Sequence, residues 1–233
     1  MNSQTENRRP LKSRGAGWAK AAASSLARMG ASPDLVSAGG IGFALAGGAA
    51  FVVSGFAEGP ARAIALVVAA AAIQLRLLCN LLDGMVALEH GRGGPLGPVW
   101  NELPDRIADA LFLISAGYGA AIAGQNSAGM GWAEPVGWTA AILAIMTAYI
   151  RELGRALGQP ADFSGPCAKP HRMALLTFTA AAAALEALLH RPARVLALGL
   201  VLIAALTAIT AVRRTLTLAG RLRAGGRASD LGA

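Results

Sequence analysis

"ARAIALVVAAAAIQLRLLCNLLDG", residues 61–84, is the stretch on which the fold turns. Its only charges are Arg62, Arg76 and Asp83. A helix needs roughly 20 predominantly apolar residues to cross the hydrocarbon core of a bilayer, and this stretch supplies them. It closes on Asp83 and Gly84, with Asn80 one turn earlier. Polar groups inside such a frame are costly to bury, so each is a functional candidate by default.

The same window, moved outward, gives six spans at about 35–56, 61–84, 100–123, 136–157, 172–190 and 193–213. The Ala-rich 172–190, which contains Glu186, carries the weakest signal. Composition agrees: of 233 residues, 55% are hydrophobic and only 15% charged, and a soluble domain would carry more charge. Ahead of the spans, "GWAKAAASSLARMG" (17–30) sets Trp18, Leu26 and Met29 against Lys20 and Arg28. That pattern predicts a short amphipathic helix lying on the membrane surface. The expected class is all-α integral membrane, six transmembrane helices preceded by that juxtamembrane helix. The expected divisions are a mobile basic tail over 1–16, the surface helix over 17–30, the six-helix domain over 31–215 and a basic tail over 216–233.

Charge sets the orientation. The net charge is +8, and Arg8, Arg9, Lys12, Arg14, Lys20 and Arg28 crowd the start while Arg213, Arg214, Arg221, Arg223 and Arg227 crowd the end. Residues 124–137 hold no Lys or Arg and are followed by Trp138, with Trp132 inside them; 89–98 and 155–172 carry Arg92, Arg155, Lys169 and Arg172. By the positive-inside rule both termini and the latter two loops are cytoplasmic, as an even number of spans requires. Arg62, Arg191 and Arg194 oppose the rule without reversing it. The expected location is the plasma or inner membrane, multi-pass, with a cytoplasmic active site. Basic ends beside apolar spans read as anchors on anionic lipid, so no nucleic-acid partner is expected. Cys79 and Cys167 have neither disulfide-framework nor metal-site spacing, and the N-terminus lacks a cleavable signal pattern.

Along the second span, Arg76, Asn80, Asp83 and Ala87 share one helical face, and Gly84 beside them leaves room for a bulky group. In "GPVWNELPDRIAD" (97–109), Asn101, Asp105 and Asp109 recur every fourth residue. Two antiparallel helices joined by the intervening Gly/Pro loop bring these stripes face to face. Carboxylates converging there suit a hard cation such as Mg²⁺, and a cation recruits phosphate. The alternative is pairing across the bundle. Asp109 is read that way, with Arg106 or Arg76 as its partner, whereas Asp83 and Asp105 are read as functional.

The frame from Asn80 through Asp83, Gly84, Ala87 and Leu88, then eight residues to Gly97, Asn101 and Asp105, resembles a family motif. It keeps every spacing of D-x-x-D-G-x-x-A-R, eight residues, G-x-x-x-D-x-x-x-D, the signature of the CDP-alcohol phosphotransferases. "SPDLVS" (32–37), "AYIREL" (148–153) and "KPHRMA" (169–174) are similar to the family's flanking segments. The resemblance implies transfer of a phosphatidyl group from CDP-diacylglycerol to a small alcohol, with CMP leaving. It implies Mg²⁺ or Mn²⁺, one or two ions, at Asn80, Asp83, Asn101 and Asp105, with Asp105 as general base. It places Asp34, Ser37, Gly84, Ala87, Gly97 and Arg92 on the nucleotide side. Arg151, Lys169, Arg172 and Asp109 fall on the acceptor side, where basic residues favour a phosphorylated alcohol such as glycerol 3-phosphate or inositol phosphate. Plain positive-inside anchoring is the competing account of those basic residues. A homodimer among membrane lipids is also implied.

Three positions depart from the motif. Asn80 and Asn101 stand where the family has Asp, and Leu88 where it has Arg. Each Asn removes one negative charge, which predicts weaker metal binding or one ion instead of two. Loss of the Arg removes a bidentate phosphate partner; Arg92 and Arg76 are the residues placed to compensate. Glu102 points about 100° round the helix from Asn101 and is not a ligand, and His90 is read as solvated. The alternative function is a catalytically silent homologue that binds CDP-lipid or a partner protein. A transporter would need paired broken helices or an internal repeat, and the chain has neither.

Overall fold

The computed structural model describes residues 16–89, 97–125 and 129–230. These form seven α-helices: α1 (Gly17–Arg28), α2 (Pro33–Phe56), α3 (Gly59–Glu89), α4 (Gly97–Gly124), α5 (Ala133–Ala156), α6 (Lys169–Leu188) and α7 (Val195–Asp230), with a 3-10 turn at Met130–Trp132. No strand occurs among the described residues.

Local chemistry fixes the entries that matter to the site. Ser32 caps α2, its hydroxyl accepting the Leu35 N–H at 3.1 Å, and Pro33 fills the first turn, where a missing N–H costs nothing. α5 ends at Leu157 and Gly158, the latter with φ of 73°, a conformation that favours glycine. The chain then crosses to α6 through residues 159–168 without regular structure.

Packing depends on small residues. α2 lies between α3 and α4, and its backbone meets α4 so closely that a Cβ on Gly119 would stand 2.1 Å from the Phe51 carbonyl oxygen. Gly117 and Gly137 make the same kind of approach between α4 and α5. Around these contacts Phe51, Leu66, Ile73, Phe112, Leu113, Leu176, Leu200 and Ile203 form the buried core. α1 lies across the far end of α3, its Ala19 and Ala23 against Leu81, Leu82, Met85 and Val86, while Trp18 and Met29 stay exposed. The amphipathic helix expected over 17–30 is therefore present, and its apolar small residues face protein.

Among the described residues, five helices are long and apolar enough to cross a membrane: Pro33–Phe56, Gly59–Ala87, Glu102–Gly124, Met130–Ala156 and Val195–Ala224. α6, the sixth expected span, packs in the bundle against α3 and α7. Lys169, His171, Arg172 and Glu186 in a 20-residue, Ala-rich helix lower its hydropathy. Leu45, Val53, Ile64, Val67, Ile142, Phe178, Leu202 and Val212 point outward from the bundle, an apolar surface of the kind that requires a nonaqueous neighbour. Two helices run well past their expected ends. α3, which begins two residues before 61, continues to Glu89, and α7 continues as helix to Asp230, past the expected division at 215. Neither extension contains an interior Pro to stop it, beyond Pro60 in the first turn of α3.

Val in place of Gly119 should therefore lower stability by about 3 kcal/mol, the upper range for forced overpacking, or prevent assembly. Gly42→Val on α2, where a Cβ meets nothing within 4 Å, should leave the unfolding midpoint in detergent unchanged.

Candidate functional site

At one end of the bundle the C-terminal half of α3, the start of α4, the end of α5 and the start of α6 come together. α3 brings Arg76, Asn80 and Asp83; α4 brings Glu102, Asp105, Arg106 and Asp109; α5 brings Arg151; α6 brings Lys169 and Arg172. The two polar stripes read from the sequence do face each other. Pro104 sits inside α4 just before Asp105 and leaves a carbonyl one turn back without its helical partner.

Asp105 is the hub. Its Oδ1 accepts from Arg76 Nη2 at 2.7 Å and from the Asn80 amide at 2.6 Å, and it pairs with the Lys169 ammonium. Among the described residues its Oδ2 has only Arg106, at 3.6 Å. Three donors on one oxygen fix the carboxylate's orientation and leave the other oxygen comparatively open. Asp83 looks the other way: Ser37 on α2 donates to its Oδ2 at 2.5 Å. Its Oδ1, equally buried, has no hydrogen-bond partner among the described residues, a costly state for a carboxylate unless something else occupies it.

The acceptor-side residues are each already engaged. Arg172 Nη2 meets Asp109 Oδ2 at 2.6 Å with both side chains almost fully buried, and Arg172 Nη1 reaches the Cys167 carbonyl at 3.3 Å. This corrects the expected pairing of Asp109 with Arg106 or Arg76. The first turn of α6 brings Arg172 to Asp109, whereas Arg76 is taken by Asp105 and Arg106 by Glu102 and Asp105. Arg151 pairs with Glu102 at 2.6 Å and Glu152 at 2.8 Å, and its guanidinium lies 5.4 Å from the centre of the Phe163 ring. Glu102 thus serves as a partner for Arg151 and Arg106, consistent with its pointing away from Asn101.

Among the nucleotide-side residues, Ser37 is buried on Asp83, Asp34 is exposed in the first turn of α2, and Gly84, Ala87 and Gly97 are half-buried nearby in sequence. Asn101 lies on α4 one turn before Asp105; its side chain, that of Leu88, and all of His90 and Arg92 lie outside the described residues.

Two residues outside the expected set shape the site. Gly40 on α2 leaves the space that the Arg76 side chain fills: a Cβ there would lie 3.0 Å from Arg76 Cδ and Nη1. Arg214 on α7, read from sequence as one of a basic cluster, is instead buried. It donates to the carbonyls of Thr147 at 2.8 Å and Ser164 at 2.9 Å, tying the 159–168 connection to the bundle. Gly165 (φ 118°) packs so closely on Thr210 that a Cβ would clash. Sequence spacing gives no signal for either contact, because both are long-range.

Whether a divalent ion suits this constellation follows from its donors. No three His, Cys, Asp or Glu side chains gather as a metal group among the described residues. Asp105 Oδ1 is occupied by cations, whereas Asp83 Oδ1 is an orphaned buried anion. Among the described residues, Asp83 Oδ1 is the position that suits a hard cation, while Asp105 Oδ1 is already held by cations.

Comparison with known proteins adds the fold. No family model matches the chain, and no curated protein does. Three solved structures of a phosphatidylinositol phosphate synthase (PgsA1) from Mycobacterium tuberculosis do match, each at 23% identity. The complex with manganese and citrate gives a TM-score of 0.70 and covers 86% of this chain and 88% of that one. The structure with CDP-DAG bound gives 0.71, covering 87% and 94%, and the apo form 0.66, covering 84% and 93%. At that identity the likeness is one of fold, and it spans nearly the whole of both chains.

Breaking the Arg172–Asp109 pair from one side should cost about 3–5 kcal/mol, the usual penalty for stranding a buried charge. Arg172→Met alone should therefore unfold at a much lower denaturant concentration, and Arg172→Met with Asp109→Leu should recover most of the loss.

Proposed function

We propose that the chain is a multi-pass membrane enzyme of the CDP-alcohol phosphotransferase type. On this reading it moves a phosphatidyl group from CDP-diacylglycerol to an alcohol and releases CMP. One observation supports it: Asp83 and Asp105, the two carboxylates kept in the motif frame, are both buried, at the same end of a bundle whose fold resembles that of a phosphatidylinositol phosphate synthase with CDP-DAG bound. Six spans, with α6 counted among them, keep both termini and the site on the cytoplasmic side by the charge rule.

The chain's own residues divide the work. Asp105 is the proton acceptor for the attacking hydroxyl, through Oδ2, because Oδ1 is held by Arg76, Asn80 and Lys169. Asn80 orients that carboxylate by its amide. Ser37 donates to one oxygen of Asp83, which leaves the other, Oδ1, for an ion. A divalent ion, Mg²⁺ or Mn²⁺, would be held by Asp83 with Asn80 and Asn101 as neutral donors, and bound there it supplies positive charge for the donor's diphosphate. Positioning and charge neutralisation make up most of phosphoryl-transfer catalysis. Arg172, sealed on Asp109, is not free to receive an acceptor. A phosphorylated alcohol would engage Arg151 and Lys169, the two acceptor-side cations that keep some exposure.

A second reading rests on the same hub. A carboxylate closed by three donors on one oxygen is also what a silent CDP-lipid-binding homologue would retain. Purified chain in lipid, given CDP-diacylglycerol, Mg²⁺ or Mn²⁺ and a panel of phosphorylated and neutral alcohols, should release CMP with one acceptor and stop on chelation. Asp105→Asn should slow release by about 10²-fold or more, the scale of a lost general base. Donor binding with no release across the panel would favour the silent homologue.

A further inference from the structure

Arg76 belongs to no position of the motif, yet it is the most enclosed cation in contact with Asp105. Its side chain is 5% exposed, fitted against Gly40, and its Nε and Nη1 make no hydrogen bond among the described residues. Lys169 approaches the same carboxylate oxygen from α6 and is 19% exposed. Arg106 lies 3.6 Å from both Asp105 and Glu102, and Glu102 is already held by Arg151 at 2.6 Å, so Arg106 brings no negative charge to the site. Around the two carboxylates, Asp83 and Asp105, the described residues set Arg76 and Lys169: two charges of each sign, and no net negative charge before any ion or substrate enters. With Asp at positions 80 and 101, the same site would carry a net charge of −2 and attract a dication on its own. As it stands, an incoming dication meets no net negative charge and two cations at close range, where Coulomb forces are screened least.

We propose that Arg76 and Lys169 act as built-in cations carrying the charge that a second metal ion would carry. The chain then takes a single divalent ion, on the Asp83 side, and takes it together with the donor's diphosphate, whose negative charge the neutral site lacks. This rests on the transferase reading for the identity of the donor, but not for the behaviour of the site towards the metal alone. The two asparagines and the two cations are on this account one adaptation: each Asn removes a charge that a resident cation would otherwise leave unbalanced.

The test is Mn²⁺ binding to purified chain in lipid nanodiscs, followed by electron paramagnetic resonance, with and without CDP-diacylglycerol, whose own binding is measured in the same samples. Wild type should bind Mn²⁺ at most weakly alone and one ion per chain with donor. Lys169→Gln should raise donor-free Mn²⁺ affinity at least about tenfold, the effect of removing one unit charge a few ångströms away at an effective dielectric near 20. Arg76→Gln should act in the same direction, and if it fails to fold, the half-buried Lys169 position still decides. Two ions per wild-type chain, or donor-free affinity unmoved by Lys169→Gln, would overturn the proposal. Failure of CDP-diacylglycerol to bind under any condition would instead strike the transferase reading, and the donor-free comparison of wild type with Lys169→Gln would still decide for or against the built-in cations.

Discussion

A carboxylate buried among helices must be neutralised, and the way Asp105 meets that requirement organises this molecule. Its Oδ1 gathers Arg76 and Asn80 from α3 and Lys169 from α6 onto α4. Three helices are thereby pinned at one end of the bundle by charge-assisted bonds, which are roughly twice as strong as neutral ones. One turn further along α4, Arg172 and Asp109 repeat the arrangement between α6 and α4. The ion pairs at this end join α4 to α3 and α6, and the glycine contacts at Gly117, Gly119 and Gly137 join it to α2 and α5.

Much of this was legible in the sequence, and the reasons are local. Apolar runs of membrane length gave the helices, because a spanning helix must satisfy its backbone within itself and so must be continuous. Spacing of four gave the polar stripe of Asn101, Asp105 and Asp109, because that period returns to one helical face. The motif frame singled out Asp83 and Asp105, and both are buried in the structure. α6 was the hardest helix to read, since its site-bearing basic residues and Glu186 dilute an already weak Ala-rich signal.

What stayed hidden is the pairing. Arg76 and Arg106 were the partners the sequence offered for Asp109, and only the packing of α6 against α4 gives it Arg172 instead. The burial of Arg214 and the fit of Arg76 against Gly40 likewise depend on contacts between residues far apart in sequence. The substitution of Asn for Asp at position 80 looks like a loss when set against the motif. In the structure its amide has a use that a carboxylate would not have: it donates to Asp105 at 2.6 Å.

The central claim is that Asp105 stays closed on fixed cations while a single ion serves Asp83. Anomalous scattering from crystals grown with Mn²⁺ and CDP-diacylglycerol tests it most directly. The account predicts one manganese peak beside Asp83, with Arg76 still bonded to Asp105. Two peaks bridging Asp83 and Asp105, with Arg76 turned away, would contradict it.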